Sequence, residues 1–425
     1  MSDSSIAVPP VTHHDLETIS LVGFVHGVSH FFHLLLPPLF PWLMSEFGLG
    51  FAGIGATMTV FFVISAIGQA GAGFLVDRLG AARVLAMGIA CFLLAALSLA
   101  LVDTYAGLVM VAALAGLGNC VFHPADFTVL NRRVSPARLG HAFSVHGLSG
   151  NLGWALAPVF MTGIANAAGW RLAALAAAGL AALALLLVLW RRRTLADPPA
   201  RTTAQMTGEM AGEMAGKVSP QMTATGRDGV FAFLRSPAVW WCFTFFLLIT
   251  TAFGAIQNFA TSILQQLHGL TLTAAATALS AYLAGGAGGI LVGGFLAQKG
   301  AHDRLIAAAL GVAASLAVLL ASVSLPGILV LALMTSIGFC TGLAGPSRDL
   351  LVRRAATSRF GQAAYGRVYG FVYSGLDTGL ALAPLVFGGL MDHGRFASVL
   401  IGIALLQCLA ILTALRVGDV TRTAA

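Results

Sequence analysis

Twelve apolar stretches dominate this chain, each long enough to cross a bilayer as a single helix. Such a crossing takes about 20 residues at roughly 1.5 Å of rise each. The stretches lie near 20–43, 52–76, 83–101, 106–130, 141–165, 171–190, 237–263, 272–297, 304–324, 327–350, 362–389 and 396–415. Lipid offers no partner to a backbone N–H or C=O, so a chain of this kind spans the bilayer as helices packed side by side. Composition agrees, with 58% hydrophobic and 9% charged residues among 425, where a soluble domain carries about 25% charged residues. Cys91, Cys120, Cys242, Cys340 and Cys408 all lie in apolar stretches without paired spacing. They read as packing residues, not as a disulfide or metal framework. The opening MSDSSIAVPPVTHHDLETIS has no basic region ahead of an apolar one, so no cleaved leader is expected.

The charges that remain fix an orientation. All but three of the 23 lysines and arginines fall in the even-numbered loops, the stretch after the sixth segment and the C-terminal tail; the exceptions are Arg171, Arg348 and Arg395. Positive loops stay on the cytoplasmic side, which puts both termini inside. The net charge of +7 therefore reports topology, and nucleic acid is not expected as a partner. Segments three, six, nine and twelve hold no ionisable residue away from their ends, whereas one, four, five, ten and eleven hold nearly all of them. A charge at the bilayer centre costs on the order of 3 kcal/mol. The first group should therefore face lipid and the second should surround a polar pathway.

The chain also repeats. GNCVFHP at Gly118–Pro124 returns in blurred form at Gly338–Pro346, Pro158 returns as Pro384, and GFLVDRLG at Gly73–Gly80 returns as GFLAQKG at Gly294–Gly300, all at a nearly constant offset. Two halves from one duplication are a common plan among secondary transporters. The expected organisation is an N-terminal tail (1–19), a six-helix bundle (20–190), a cytoplasmic linker (191–236) containing the low-complexity run TGEMAGEMAGK, a second bundle (237–416) and a tail (417–425).

At these residues the chain resembles the major facilitator superfamily. Gly73-Phe-Leu-Val-Asp77-Arg78-Leu-Gly80-Ala-Ala-Arg83 is similar to that superfamily's signature loop, with Gln298 and Lys299 replacing the Asp-Arg pair in the second copy. Ser29-His30, Val121–Pro124 and the H-A-F-S…G-N-L-G…A-P of the fifth segment resemble fosmidomycin-resistance-type exporters. The resemblance implies an all-α membrane protein of twelve transmembrane helices in two pseudo-symmetric six-helix bundles that rock around a central cavity. It also implies contacts from the signature loop to helices four and eleven. Gly153, Ala157 and Pro158, with Gly370, Gly379, Ala383, Pro384, Gly388 and Gly389, are similar to the superfamily's antiporter motif. That likeness points to export, while close helix packing is the plainer account.

The polar residues inside the segments are the candidate site. His26, His30 and His33 fall within about 60° of one helical face, with His30 near mid-membrane. They can line a proton- or substrate-binding cavity, bond structurally to neighbouring helices or, with no carboxylate or cysteine at ligand spacing beside them, least readily hold a metal. Asp377 is the deepest carboxylate, and its alternative to proton coupling is a fixed pair with Arg348 or a histidine. His30 and Asp377 are therefore assigned to proton coupling, and His26, His33, His123, His146, Asn151, Gln257, Asn258, Tyr369 and Tyr373 to the cavity. Asp77, Arg78, Asp126 and Arg132 are assigned to gating, Asp126 as a latch to Arg78 or Arg132, with a proton carrier as its alternative role. No metal or cofactor beyond a proton gradient is expected. The reading is a monomeric, multi-pass inner-membrane exporter of a small polar or amphipathic compound, with protons and lipid as its other partners. A proton-coupled importer of a metabolite or metal complex, or a membrane-embedded metalloenzyme, are the alternatives. No nucleotide-binding loop is present to drive primary transport.

Overall fold

The computed structural model describes residues 13–135, 138–195, 232–297, 302–360 and 365–423, and these are helical with short turns. In the first half, α1 is His13–His33, α2 Phe40–Phe47, α3 Phe51–Leu79, α4 Ala81–Leu101, α5 Tyr105–Asn119, α6 Phe122–Arg133, α7 Leu139–Ala168, α8 Trp170–Trp190 and α9 Arg192–Leu195. In the second, α10 is Pro237–His268, α11 Leu272–Ala297, α12 His302–Ser322, α13 Gly327–Phe360, α14 Tyr365–Asp392 and α15 Phe396–Thr423. Most of the expected linker lies outside the described residues, as do Gln298 and Lys299.

These helices make twelve spans. Two are broken where proline removes a backbone donor. After α1, Pro37–Leu39 forms a 3-10 turn before the chain re-enters a helix at Phe40, with Pro41 in its first turn. The fourth span, expected as one helix, divides at Cys120–Val121, because Pro124 has no N–H to offer the Cys120 carbonyl. Helices α13, α14 and α15 continue past the bounds expected from hydropathy, since nothing in their polar ends stops a helix. Among the described residues, eleven spans are both long and apolar enough to cross a membrane. The span that falls short is α7, which carries His141, His146 and Asn151.

The two halves repeat one packing plan. The first span packs on the fifth (α1 on α7, α10 on α14), the second on the fourth (α3 on α5, α11 on α13), and the third on the sixth (α4 on α8, α12 on α15). The turns repeat too: Gly48 and Gly269 end related helices at φ of 63° and 65°, a left-handed conformation that glycine takes without strain. Helices α4, α8, α12 and α15 present exposed leucine and valine, among them Leu94, Leu186, Val318 and Leu405. This is the lipid-facing scaffold expected from their lack of internal charge.

Small residues set how closely the helices approach. A Cβ on Gly289 would run into the Phe339 carbonyl of α13, and one on Gly338 into the Tyr282 carbonyl of α11. Backbone contact of this kind replaces hydrophobic burial as the adhesive between helices in lipid.

The halves meet through α3 on α14 and α7 on α11. Their polar contacts lie at the face away from the chain termini. Thr59 Oγ1 donates to the Ala381 carbonyl at 2.8 Å, Asn166 Nδ2 donates to Thr273 Oγ1 at 2.8 Å, and the Phe51 ring meets Phe259 and Phe396, each at 6.2 Å. At the opposite face the related residues Phe74 and Phe295 are each 74% exposed. Among the described residues the halves are joined at one face and parted at the face that carries the termini.

Candidate functional site

One face of α1 carries His26, His30 and His33, with ring centroids 4.4 Å and 4.9 Å apart along the helix. The register of α1 alone brings them together. The break between α5 and α6 then turns Asn119 and Asp126 toward that face, and α7 contributes His146 and Trp154.

Asp126 is the hub. It is fully buried, and its Oδ2 lies 3.1 Å from His26 Nδ1 and 3.2 Å from His146 Nε2. With the carboxylate ionised, both imidazole N–H groups donate to it. The His26 and His146 rings stack at 3.5 Å, and His123 stands edge-on to His26 at 5.3 Å. Asp126 Oδ1 is buried without a hydrogen-bond partner. A buried carboxylate held by two donors on one oxygen and none on the other is only half compensated. This arrangement corrects the expected latch: Asp126 sits among the histidines rather than in a pair with Arg78 or Arg132. Sequence position put it one helical turn from the membrane edge, but the break before α6 tips that turn inward.

The two other histidines of α1 differ in their bonding. His33 Nε2 donates to Asn119 Oδ1 at 2.8 Å, and Asn119 Nδ2 donates to Ser65 Oγ at 2.8 Å, which fixes the His33 tautomer. His30 is buried, yet neither of its ring nitrogens has a partner. Its ring lies 4.2 Å from that of Trp154. Gly150 makes room for it, since a Cβ there would stand 2.7 Å from His30 Nδ1.

The fold thus supplies the carboxylate that sequence spacing did not place beside the histidines. The ligand-capable atoms of His26, Asp126 and His146 lie within 4.8 Å of one another, as do those of His26, His30 and His123. Such spacing is open to a divalent cation, while the hydrogen bonds to Asp126 already account for the first group through shared protons.

The remaining candidates lie elsewhere. Asn151 turns back on its own helix and donates to the Gly147 carbonyl at 2.9 Å. Gln257 and Asn258 are buried in α10, where Gln257 Nε2 and Asn258 Oδ1 are unpartnered. Asp377 is half-buried in α14, and among the described residues it makes no ion pair with Arg348, whose guanidinium lies 4.7 Å from the Phe246 ring centroid. The side chains of Tyr369 and Tyr373 fall outside the described residues. Asp77 pairs with Arg132 at 3.6 Å on the parted face, with Arg78 exposed beside it. Sequence reasoning missed Ser65, Asn119 and Trp154. Trp154 could have been found from its register, because it falls eight residues after His146 and so on nearly the same face of α7.

Comparison with known proteins supports this architecture. The family model described as Major Facilitator Superfamily matches residues 19–364. The fosmidomycin resistance protein of Escherichia coli (strain K12) is 32% identical over 166 residues, 37% of this chain and 40% of that protein. The gallate transporter of Pseudomonas putida is 26% identical over 385 residues, 85% of each. A bacterial homologue of the human lysosomal transporter Spinster, solved inward-facing and unoccupied, shares the fold with a TM-score of 0.72 at 13% identity over 98% of both chains. Twelve spans in two repeated bundles, the signature loop after the second span and the match over most of its length show that this chain belongs to the Major Facilitator Superfamily.

Proposed function

We propose that the protein is a proton-coupled exporter of the inner membrane, acting as a monomer with both termini in the cytoplasm. It moves a small polar or amphipathic compound by alternating access. The observation that carries this reading is His30: a buried imidazole with both nitrogens bare, 4.4 Å from the ring of His26, which is itself bonded to Asp126. A bare imidazole nitrogen offers a lone pair to a proton once the opening pathway wets it. The partly compensated Asp126 carboxylate then stabilises the positive charge through the stacked histidines. In the second half, Asp377 offers a carboxylate without a fixed basic partner among the described residues. A proton arriving from outside occupies these groups when the pathway opens outward, and leaves when it opens inward.

In this reading Asp77, Arg78 and Arg132 control closure of the terminus-bearing face, because they stand where the halves are parted. Export is favoured by two relatives that each match 37% of this chain, the fosmidomycin resistance protein and the multidrug resistance protein B homologue of Mycobacterium tuberculosis. Import is the second reading, favoured by the gallate transporter, which matches over most of both chains.

Inverted vesicles with an imposed proton gradient test direction and coupling together, with fosmidomycin and gallate as the compounds offered. Gradient-driven uptake into vesicles with an acidic interior means export, and uptake driven by the reverse gradient means import. In proteoliposomes, His30→Ala and Asp377→Asn are expected to keep downhill exchange and lose proton-driven accumulation. Full accumulation by both variants would remove the coupling assignment.

A further inference from the structure

Between the two halves, four rings from four helices form a continuous wall. His30 of α1 lies 4.2 Å from Trp154 of α7, Trp154 lies 5.2 Å from Phe253 of α10, and Phe253 lies 6.2 Å from Tyr282 of α11, all between ring centroids. Trp154 and Phe253 remain partly exposed although they meet at the interface of the halves, so they border open space there. The wall also carries unpaired polar atoms. Both nitrogens of His30, Trp154 Nε1 and Gln257 Nε2 are buried without a partner. Gln257 falls one helical turn beyond Phe253 on the same face of α10.

Buried polar atoms without partners are uncommon, and a cluster of them calls for an explanation. Here they share a chemical bias. Tryptophan N–H and the glutamine NH2 can only donate, and a neutral imidazole donates from one nitrogen. Beside them stand aromatic rings from both halves, tilted to one another by 33° to 59°, whose faces and edges can flank a planar ring. We infer that the space between the halves takes a flat aromatic compound bearing two or more acceptor oxygens, its ring against Trp154 and Phe253 and its oxygens on Trp154 Nε1, Gln257 Nε2 and His30. The inference rests on the reading of the inter-half space as the transport pathway and names the class of compound carried. Trp154 and Gln257 come from opposite halves, so such a compound is gripped by both bundles and couples its binding to their relative motion.

The test measures binding to the full-length protein in nanodiscs by calorimetry, with no proton gradient, so that failure of proton coupling cannot mimic failure of this proposal. The probes are methyl 3,4-dihydroxybenzoate, 3,4-dihydroxybenzoate and methyl cyclohexanecarboxylate. The aromatic ester is expected to bind about tenfold more tightly than the saturated one, the effect of an aromatic contact together with a hydrogen bond. Comparing the ester with the acid shows whether the oxygens are taken neutral or charged, and either result supports the proposal. Trp154→Leu should remove the aromatic preference, while Trp154→Phe, which keeps a ring but no donor, should keep part of it. Gln257→Leu should weaken the dihydroxy compounds about tenfold without affecting the saturated ester. Trp190→Leu, on the exposed end of α8, controls for a general effect of losing a tryptophan. Equal binding of aromatic and saturated esters, wild-type binding by Trp154→Leu, or no binding of any probe would each overturn the inference.

Discussion

Asp392, the last residue of α14, caps the N-terminus of α3 in the other half of the molecule. One carboxylate oxygen accepts from the Phe51 N–H and the other from the Ala52 N–H at 3.0 Å. The first N–H groups of a helix have no partner within it, and an acceptor from the same chain segment usually supplies one. Residue 50 is a glycine with no side chain to do so, and a Cβ there would stand 2.5 Å from Asp392 Oδ1. The cap is therefore supplied across the interface, at the face where the halves are closed. A Cβ on Gly388 would likewise stand 2.7 Å from the Ala52 Cα, so the backbones touch beside the cap.

Removing that cap should loosen the closed face. An N-cap contributes about 1 kcal/mol, so Asp392→Ala should shift the balance between closed and open forms roughly fivefold toward the state open at this face. Spin labels at Leu49 and His393 would report the change as a longer distance. An unaltered distance distribution would count against the cap as a latch.

The opposite face has its own charged pair. Asp77 and Arg132 approach to 3.6 Å with both side chains well exposed, a setting in which an ion pair contributes roughly 0–1 kcal/mol. Asp77→Asn should thus leave thermal stability within error while changing the ratio of conformers, with substrate affinity in each conformer unchanged. Loss of binding itself in detergent would move Asp77 into the binding site.

The sequence and the structure agree on the plan of the molecule because that plan depends on local, periodic signals. Apolar length marked the spans, and the Gly73–Gly80 loop with the repeated Pro124, Pro158, Pro346 and Pro384 marked the two halves. The site was legible only where a single helix builds it: His26, His30 and His33 share a face by register alone. Asp126 was misplaced because the break before Pro124 changes the direction of a turn, a tertiary consequence that hydropathy does not carry. Asn119 and Ser65 went unnoticed because a lone amide or hydroxyl has meaning only beside the histidine it bonds.

Glycine packing gives a stability prediction with an internal control. A Cβ on Gly153 would overlap the Gly27 carbonyl of α1, whereas one on Gly163, farther along the same helix, meets nothing within 4 Å. Gly153→Val should force α1 and α7 apart and destabilise the protein by about 1–3 kcal/mol. Gly163→Ala should be neutral or slightly stabilising. Melting of the two variants in detergent separates these outcomes, and equal melting temperatures would mean that the α1–α7 contact yields without cost.

The bonds at Asp126 should show as strong coupling. Removing one partner of a buried charged pair costs roughly 3–5 kcal/mol, because the other is left without compensation. His26→Ala leaves Asp126 Oδ2 with His146 alone, and Asp126→Ala leaves two imidazoles without their acceptor. Their double variant should lose less than the sum of the single losses, by about 0.5–3 kcal/mol. Strict additivity in a thermal cycle would mean that the His26–Asp126 contact contributes no stability.

His30 should behave in the opposite sense. It is buried with two unpaired ring nitrogens, an arrangement that lowers stability and that structure alone does not reward. Leucine at this position keeps an apolar side chain of similar reach and removes both unmatched polar atoms. Gly150 already leaves clearance for a ring there, so no new clash is introduced. His30→Leu is therefore expected to match or exceed the wild type in melting temperature while losing proton-driven accumulation in proteoliposomes. A gain in stability at the expense of activity marks a residue kept for function rather than for packing. If His30→Leu melted several degrees lower, the imidazole would be serving a structural contact after all. If it accumulated substrate normally, the coupling proton would have to reside on the Asp126 group or on Asp377.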